Sequence, residues 1–401
     1  MRKAVWAIAI VVVLAIALVV VQVTRSTPSQ SVEVHTPPPV HVQGAGTLPW
    51  PTSGAAAVAI GTNGAVRTSG STQQRPTASL AKMMTAYVVL ADHPLQNGQP
   101  GPSIPITTAD VATYNSDAAA SDSVLQVSAG ESITEQQALE GLLVASADNI
   151  AVVLANWDAG SVTAFVAKMN STAKSLGMDN THYTDPSGLQ TSTVSTPADQ
   201  LTVARKAMAN PTFASIVAMQ SATFPVGGTV QNYDYDVGHD GVIGVKTGSD
   251  SAAGGCWAFA ATRTVAGKPQ TVYGVVMGIP GTATGLIEPA LAAGKALADA
   301  LPGTVSTMTV LPAHTVVGYV TAPWRSTPVP IRTLRALQGL VENGSTVTFH
   351  VSLDQVPGTT VDAGQPLGMV SAQGVSGVAE SPVEASAGAS GPGLSWRLTR
   401  A

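Results

Sequence analysis

The sequence predicts an α/β chain of the α+β kind: one antiparallel sheet with an all-helical subdomain, then a small all-β domain. Three observations predict it. β-prone runs stand at both ends of the first domain, at 55–60 and again at 222–226, 241–245, 254–262 and 271–278. Between them, from Ser79 to about Ser175, the chain reads as helical, interrupted by a polar stretch over 97–132. Beyond about Thr304 the runs are short and β-branched, at 305–311, 316–320 and 346–351, with turn residues such as Asn343-Gly344 between them. Strands at the ends and helices between them would leave a cleft where sheet and helices meet.

Taken in order, the chain opens with Arg2-Lys3 and an uncharged run from Ala4 to Val23, which at about 20 residues is the length of a bilayer-crossing helix. Positive charge on the short leading side predicts that the remainder faces outward. A cleavable signal has a shorter apolar region and a small-x-small site. Val19-Val20-Val21-Gln22-Val23 offers no such site, so residues 1–25 read as a membrane anchor, with a cleaved signal peptide and a secreted product as the other reading. Residues 26–50, rich in Ser, Thr, Pro and Val around Pro37-Pro38-Pro39, read as an extended linker, with packing of 32–42 as an edge segment the alternative. Residues 51–302 form the first domain. It opens with a strand at 55–60 and the turn Gly61-Thr62-Asn63-Gly64, whose Asn-Gly suggests a hairpin, and it closes with a helix over 290–301. Residues 303–373 read as a small sandwich or barrel. Residues 374–401 are rich in Ala, Ser, Gly and Pro and read as a disordered tail. The tail ends in a basic stretch over 394–400 with one Trp, too short for a second anchor.

Composition narrows the function. A chain of 401 residues fits two domains plus tails. With 45% hydrophobic and 11% charged residues it can bury a large core. A net charge of -5 gives no polybasic surface for nucleic acid. Cys256 is the only cysteine, which excludes an intramolecular disulfide, and its apolar setting reads as a buried structural thiol. No spacing of ligand residues supports a metal, and no cofactor is expected.

Three segments carry the chemistry: Ser79-Leu80-Ala81-Lys82, Ser146-Ala147-Asp148-Asn149 and Lys246-Thr247-Gly248. Alone, the first could be a surface helix start with a solvated lysine. In this order the three are the signature of serine enzymes acting on D-alanyl peptides and β-lactams. The run from Ser79 to Leu90 lacks Gly and Pro, and Pro76-Thr77 sits where a helix can begin. Ser79 then lies in the first turn with Lys82 on the same side. A serine hydroxyl is a poor nucleophile until a neighbour takes its proton. A lysine can do so when burial and a second positive charge loosen its own proton, and Lys246 is the candidate for that charge.

From Val58 to Leu301 the chain resembles the D-alanyl-D-alanine carboxypeptidases of the low-molecular-mass penicillin-binding proteins. Besides the three motifs, Phe165-Val166-Ala167-Lys168-Met169-Asn170, Ala173-Lys174-Ser175-Leu176-Gly177-Met178, Asp185-Pro186-Ser187-Gly188-Leu189 and Gly241-Val242-Ile243-Gly244-Val245-Lys246-Thr247-Gly248 follow in the family's order. The β-rich second domain is similar to one that many members carry. The resemblance implies a β-lactamase/transpeptidase-like fold, a peptidoglycan stem peptide as substrate and β-lactams as covalent inhibitors. It implies Ser79 as the acylated nucleophile, Lys82 as its base and Ser146 as the relay that protonates the leaving D-alanine. Lys246 would hold positive charge beside the serine and the substrate carboxylate, which the Thr247 hydroxyl would meet. Gly248 would let the substrate backbone approach. The N–H groups of Ser79 and Ser249 would form the oxyanion hole, at roughly 3 kcal/mol of barrier each.

The chain departs from the family pattern in two places. Asp148 stands where the family has Asn, with Asn149 one position late. Asp148 could pair with Lys82 and hold that lysine's proton more firmly, or a shifted turn could bring Asn149 inward. Some members also carry an arginine shortly after the Met-Gly ending the last strand, but here Met277-Gly278 is followed by Ile279-Pro280-Gly281-Thr282-Ala283-Thr284. Two other functions stand beside the carboxypeptidase. A class A-like β-lactamase would need a loop glutamate in an E-x-x-L-N string, which 149–246 lacks. A catalytically weakened peptidoglycan-binding homologue would have Asp148 as its lesion. His182 and His239-Asp240 read as turn residues, and Asp185-Pro186-Ser187-Gly188 as a Pro/Gly turn bordering the cleft in a supporting role.

Overall fold

Five runs of small and β-branched residues form an antiparallel sheet in the computed structural model, which describes residues 2–400 apart from Ser71, Asn97, Ala283, Thr284 and Pro357. The strand order is Val242–Asp250, Gly254–Val265, Lys268–Ile279, Ala55–Ile60 and Arg67–Gly70. The middle strands are buried along most of their length, as expected of a sheet covered by helices. Helices Pro197–Met208 and Ile287–Ala300 pack on it. The second can approach closely because it carries Gly294 under the Trp257 ring, where a β-carbon would stand 2.4 Å from the indole. Helices Ala81–Asp92, Glu135–Leu143, Asp148–Ala159 and Val162–Ser175 make the helical part. Sheet and helices belong to one compact unit, Thr47–Thr304, with a shared core.

The polar stretch 97–132 holds a helix that the sequence reading passed over, Thr108–Ala120. Its start is a reciprocal capping box between Thr107 and Asp110. Only Asp110 of the helix is buried, so it carries no apolar stripe to betray it.

A second reciprocal cap, Thr134 with Gln137, starts the helix Glu135–Leu143. It leaves Glu135 fully buried against Gly101, with neither carboxylate oxygen hydrogen-bonded. Burial pushes this carboxyl up from 4.5 to about 7. The folded state therefore holds the proton more tightly than the unfolded one. The favourable contribution is complete below the unfolded value and is lost as pH rises toward about 7. Glu135→Gln is expected to leave the denaturation midpoint unchanged near pH 4 and to raise stability by about 1 kcal/mol at pH 8.

The other compact unit combines both ends of the chain, Met1–Gly46 and Val305–Ala401. Its larger sheet has seven strands, in the order Ser31–Val34, Val316–Thr321, Val329–Thr333, Glu380–Ala385, Pro366–Gln373, Thr346–Leu353 and Val40–His41. Val305–Leu311, Leu337–Glu342 and Val375–Val378 make a smaller one.

This arrangement corrects two expectations. Residues 26–50 are not wholly an extended linker: Ser31 pairs with Thr321 and Val40 with Val347, and Pro37-Pro38-Pro39 falls between the two short strands, where no ladder N–H is needed. The tail expected to be disordered, 374–401, is structured over its described residues. Val383 and Ala385 are fully buried in the unit's core, and Leu394–Thr399 is helical. Small residues there allow close strand packing, which the composition disguised as disorder. At the N-terminus one helix is long and apolar enough to cross a membrane, Lys3–Thr24, with none of its apolar window buried.

Candidate active site

The larger unit brings the three motifs together. Ser79 sits in a tight turn, Ala78–Leu80, that runs straight into the helix Ala81–Asp92. Ala78 is held at a φ of 44°, a conformation that L-residues rarely adopt outside strained, well-packed sites. The Asp185–Leu189 turn supports it from behind. Gly188, at a φ of 82°, lies so close that a β-carbon would stand 1.8 Å from the Ala78 carbonyl oxygen. On the other side, a β-carbon on Gly248 would stand 2.9 Å from the Ser79 nitrogen. Glycine at both positions lets the turn and the strand Val242–Asp250 close on Ser79.

Lys82 is completely buried and spends its ammonium on three acceptors. Its Nζ donates to Ser79 Oγ at 2.7 Å, to Asp148 Oδ1 at 2.7 Å and to the Ser187 carbonyl at 3.1 Å. Asp148 stands at the first position of the helix Asp148–Ala159, where a carboxylate also meets the positive end of the helix dipole. Asn149 faces elsewhere. Its side chain accepts from the Leu125 N–H at 3.0 Å and donates to the Leu125 carbonyl at 2.9 Å, pinning the segment before it. Of the two candidates beside Lys82, the position is Asp148's.

Ser146 occupies the turn before that helix at a φ of 56°, again left-handed for a residue with a side chain. Its Oγ accepts from Lys246 Nζ at 2.9 Å, and the same ammonium donates to the Thr247 carbonyl at 2.9 Å. Lys246 is buried on the central part of its strand. Burial, and then the neighbouring Lys82 charge, bring its ammonium down to about 7, with Asp148 and Asp234 opposing the shift. Thr247 and Gly248 follow along the strand, opposite Trp257 and Cys256, and Ser249 pairs with Gly255. Thr247 and Gly248 are buried, whereas Ser79 and Ser249 are partly open to solvent. Beside Ser146 a cleft of about 290 Å³ opens between Val124, Ala145 and the segment Val230–Tyr235.

Three features carried no recognisable sequence signal. The first is the Ser187 carbonyl on Lys82. It is fixed by Asp185, whose carboxylate accepts from the N–H groups of Ser187, Gly188 and Leu189 at 3.1, 2.8 and 3.0 Å. An Asp-x-x-Gly turn hints at such a clamp, but nothing marks which carbonyl it aims. The second is Asp234, buried and accepting from Trp257 Nε1 at 2.8 Å; burial pushes its carboxyl up to about 6. The third is Arg75, whose guanidinium lies against Gly278 at the end of the strand Lys268–Ile279 and whose Nε has no acceptor. Of the arginine-free segment after Gly278, Ala283 and Thr284 lie outside the described residues. Among the described residues no cluster could hold a metal ion. Cys256 is buried, and burial pushes its thiol up to about 12. His182 bridges to Val194 and lies outside this cluster.

A partly open serine hydrogen-bonded to a buried lysine, with a second lysine on an adjoining strand, defines a serine acyl-transfer site. The model of the D-alanyl-D-alanine carboxypeptidase family matches residues 51–281. The chain belongs to that family and is a serine-type hydrolase. A D-alanyl-D-alanine carboxypeptidase of Mycobacterium tuberculosis, DacB2, is 38% identical over 195 residues, which is 47% of this chain and 62% of that protein. One from Streptomyces sp. strain K15 is 34% identical over 234 residues, covering 54% of this chain and 77% of the relative. The crystal structure of the Streptomyces K15 DD-transpeptidase superposes with a TM-score of 0.56 at 29% identity, over 63% of this chain and 98% of that one. Penicillin-binding protein 5 of Haemophilus influenzae shares the fold more widely, over 86% of this chain and 99% of its own, with a TM-score of 0.63 at 21% identity.

Proposed function

We propose that the chain removes the terminal D-alanine from peptidoglycan stem peptides through an acyl-enzyme on Ser79 and is acylated there by penicillins. The observation that carries this reading is the 2.7 Å contact between Ser79 Oγ and the buried Lys82 Nζ. Lys82 in its neutral form takes the Ser79 proton as Oγ attacks the carbonyl carbon of the D-Ala-D-Ala bond. The developing oxyanion is met by the N–H groups of Ser79 and Ser249. As the C–N bond breaks, Ser146 passes a proton to the departing D-alanine nitrogen, replenished from the lysines on either side. Water then hydrolyses the ester, with Lys82 again as base. Lys246 and Thr247 hold the substrate's terminal carboxylate. The same residues catalyse transfer to an amine acceptor if one reaches the ester before water. A Streptomyces neighbour described as a DD-transpeptidase supports keeping that outcome in the assay. The N-terminal helix is read as a retained anchor, with the larger unit on the outer side, from Arg2-Lys3 leading the apolar run.

A fluorescent penicillin should label the protein stoichiometrically and leave slowly. A D-Ala-D-Ala peptide should yield free D-alanine, and added amine should divert product into an adduct only to the extent that transfer competes. Rapid turnover of the penicillin would instead mark a β-lactamase. No labelling and no D-alanine would mark a binding homologue.

A further inference from the structure

The two ends of the chain meet. At the outer end of the N-terminal helix, Arg397 donates to the Val23 carbonyl at 3.1 Å, and Arg400 donates to the carbonyls of Gln22 at 3.1 Å, Ser26 at 3.0 Å and Arg25. Carbonyls at a helix C-terminus lack intrahelical partners, and cations are favoured beside them. Trp396, on the C-terminal helix Leu394–Thr399, packs edge-on against Trp324 at 5.7 Å, and the Arg400 guanidinium stands 5.3 Å from its ring. Three donors here are shielded from solvent without an acceptor: Nε of Arg400, Nε1 of Trp324 and Nη1 of Arg325, the residue after Trp324, whose Nη2 donates to Gln30 Oε1 at 3.0 Å. Leu394 and Leu398 project outward from the same short helix. The contributing segments, 20–26, 322–326 and 392–400, contain no acidic residue.

These side chains are themselves partly open to solvent, so small rotations can turn their unpartnered donors to an anionic oxygen at the surface. Their place in the fold says which kind. They stand level with the point where the helix Lys3–Thr24 ends. For a helix of bilayer-crossing length this is the headgroup layer, where Trp and Arg side chains concentrate. We propose that Trp324, Arg325, Trp396, Arg397 and Arg400 form a seat for anionic phospholipid headgroups around the exit of the N-terminal helix. The unit built from both chain ends then rests on the membrane surface. The proposal rests on the reading of that helix as a retained anchor.

The test uses the full chain in nanodiscs of phosphatidylcholine alone or of an equal mixture with phosphatidylglycerol. Backbone hydrogen exchange is followed over 322–326 and 392–400. Exchange should slow by about fivefold or more in the anionic discs. The difference should shrink in Arg325→Gln, while hydrolysis of a soluble D-Ala-D-Ala peptide stays unchanged. The wild-type comparison decides the matter should that variant fold poorly. Equal exchange in the two discs overturns the proposal and leaves the anchor reading standing. The same slowing in phosphatidylcholine discs on adding inorganic phosphate assigns a small-anion site and overturns the lipid source. A chain that enters neither disc overturns the anchor reading and the proposal together.

Discussion

Lys82→Arg is expected to lower the rate of penicillin acylation by about a thousandfold, the scale of a lost general base, with the melting curve close to wild type. Arginine keeps the positive charge that Asp148 meets at 2.7 Å, so the buried ion pair survives. It cannot give up a proton near neutral pH and so cannot accept one from Ser79. Lys82→Ala is the less informative change, because it leaves a buried carboxylate unpaired at a cost of about 3–5 kcal/mol. Ser79→Ala supplies the matching control: intact-mass analysis should find no adduct. If Lys82→Arg acylates near the wild-type rate, or Ser79→Ala still gains mass, another pair of residues performs the chemistry.

Asp148→Asn should draw in the alkaline limb of the pH–rate profile and lower the rate at pH 7–8 several-fold. In the native chain the Asp148 carboxylate accepts from Lys82 Nζ at 2.7 Å. An amide there still offers an oxygen to Nζ but no charge. The same carboxylate props up the positive charge of Lys246, which burial has already brought down to about 7. Losing it should lower the alkaline limb, where Lys246 must stay charged to hold the substrate carboxylate. Asn149→Ala should behave differently. Both ends of that amide serve Leu125, so its loss should loosen the neighbouring segment and reduce stability by about 1–3 kcal/mol without displacing the limbs. A profile that does not move in Asp148→Asn would remove the tuning role from that carboxylate.

These contrasts also show what a sequence makes legible. Ser79 and Lys82 could be read together because an i, i+3 spacing on a helix start fixes their proximity. Lys246 could be read because Lys246-Thr247-Gly248 follows the other two segments in order. Asp148 was visible as a departure, but the choice between it and Asn149 needed the fold, since it depends on how the turn at Ser146 points two consecutive side chains. The Ser187 carbonyl was invisible because a backbone acceptor has no side-chain signature. The strands at 31–34 and 40–41 were legible only as the alternative of an edge segment, for a different cause. Their partners, near Thr321 and Val347, lie at the far end of the chain, and local composition cannot report so distant a pairing.

That pairing has a consequence for the order in which the protein is built. The strand at Ser31–Val34 emerges early in synthesis, yet its partner Val316–Thr321 follows only after all of Thr47–Thr304 has been made. The larger unit contains every strand of its own sheet and can begin to fold while the rest of the chain is still emerging. The other unit cannot close until its last strand, Glu380–Ala385, has arrived between Val329–Thr333 and Pro366–Gln373. Contacts across so much intervening chain make closure the slow event. Until then the segment next to the N-terminal helix is an unpaired strand edge.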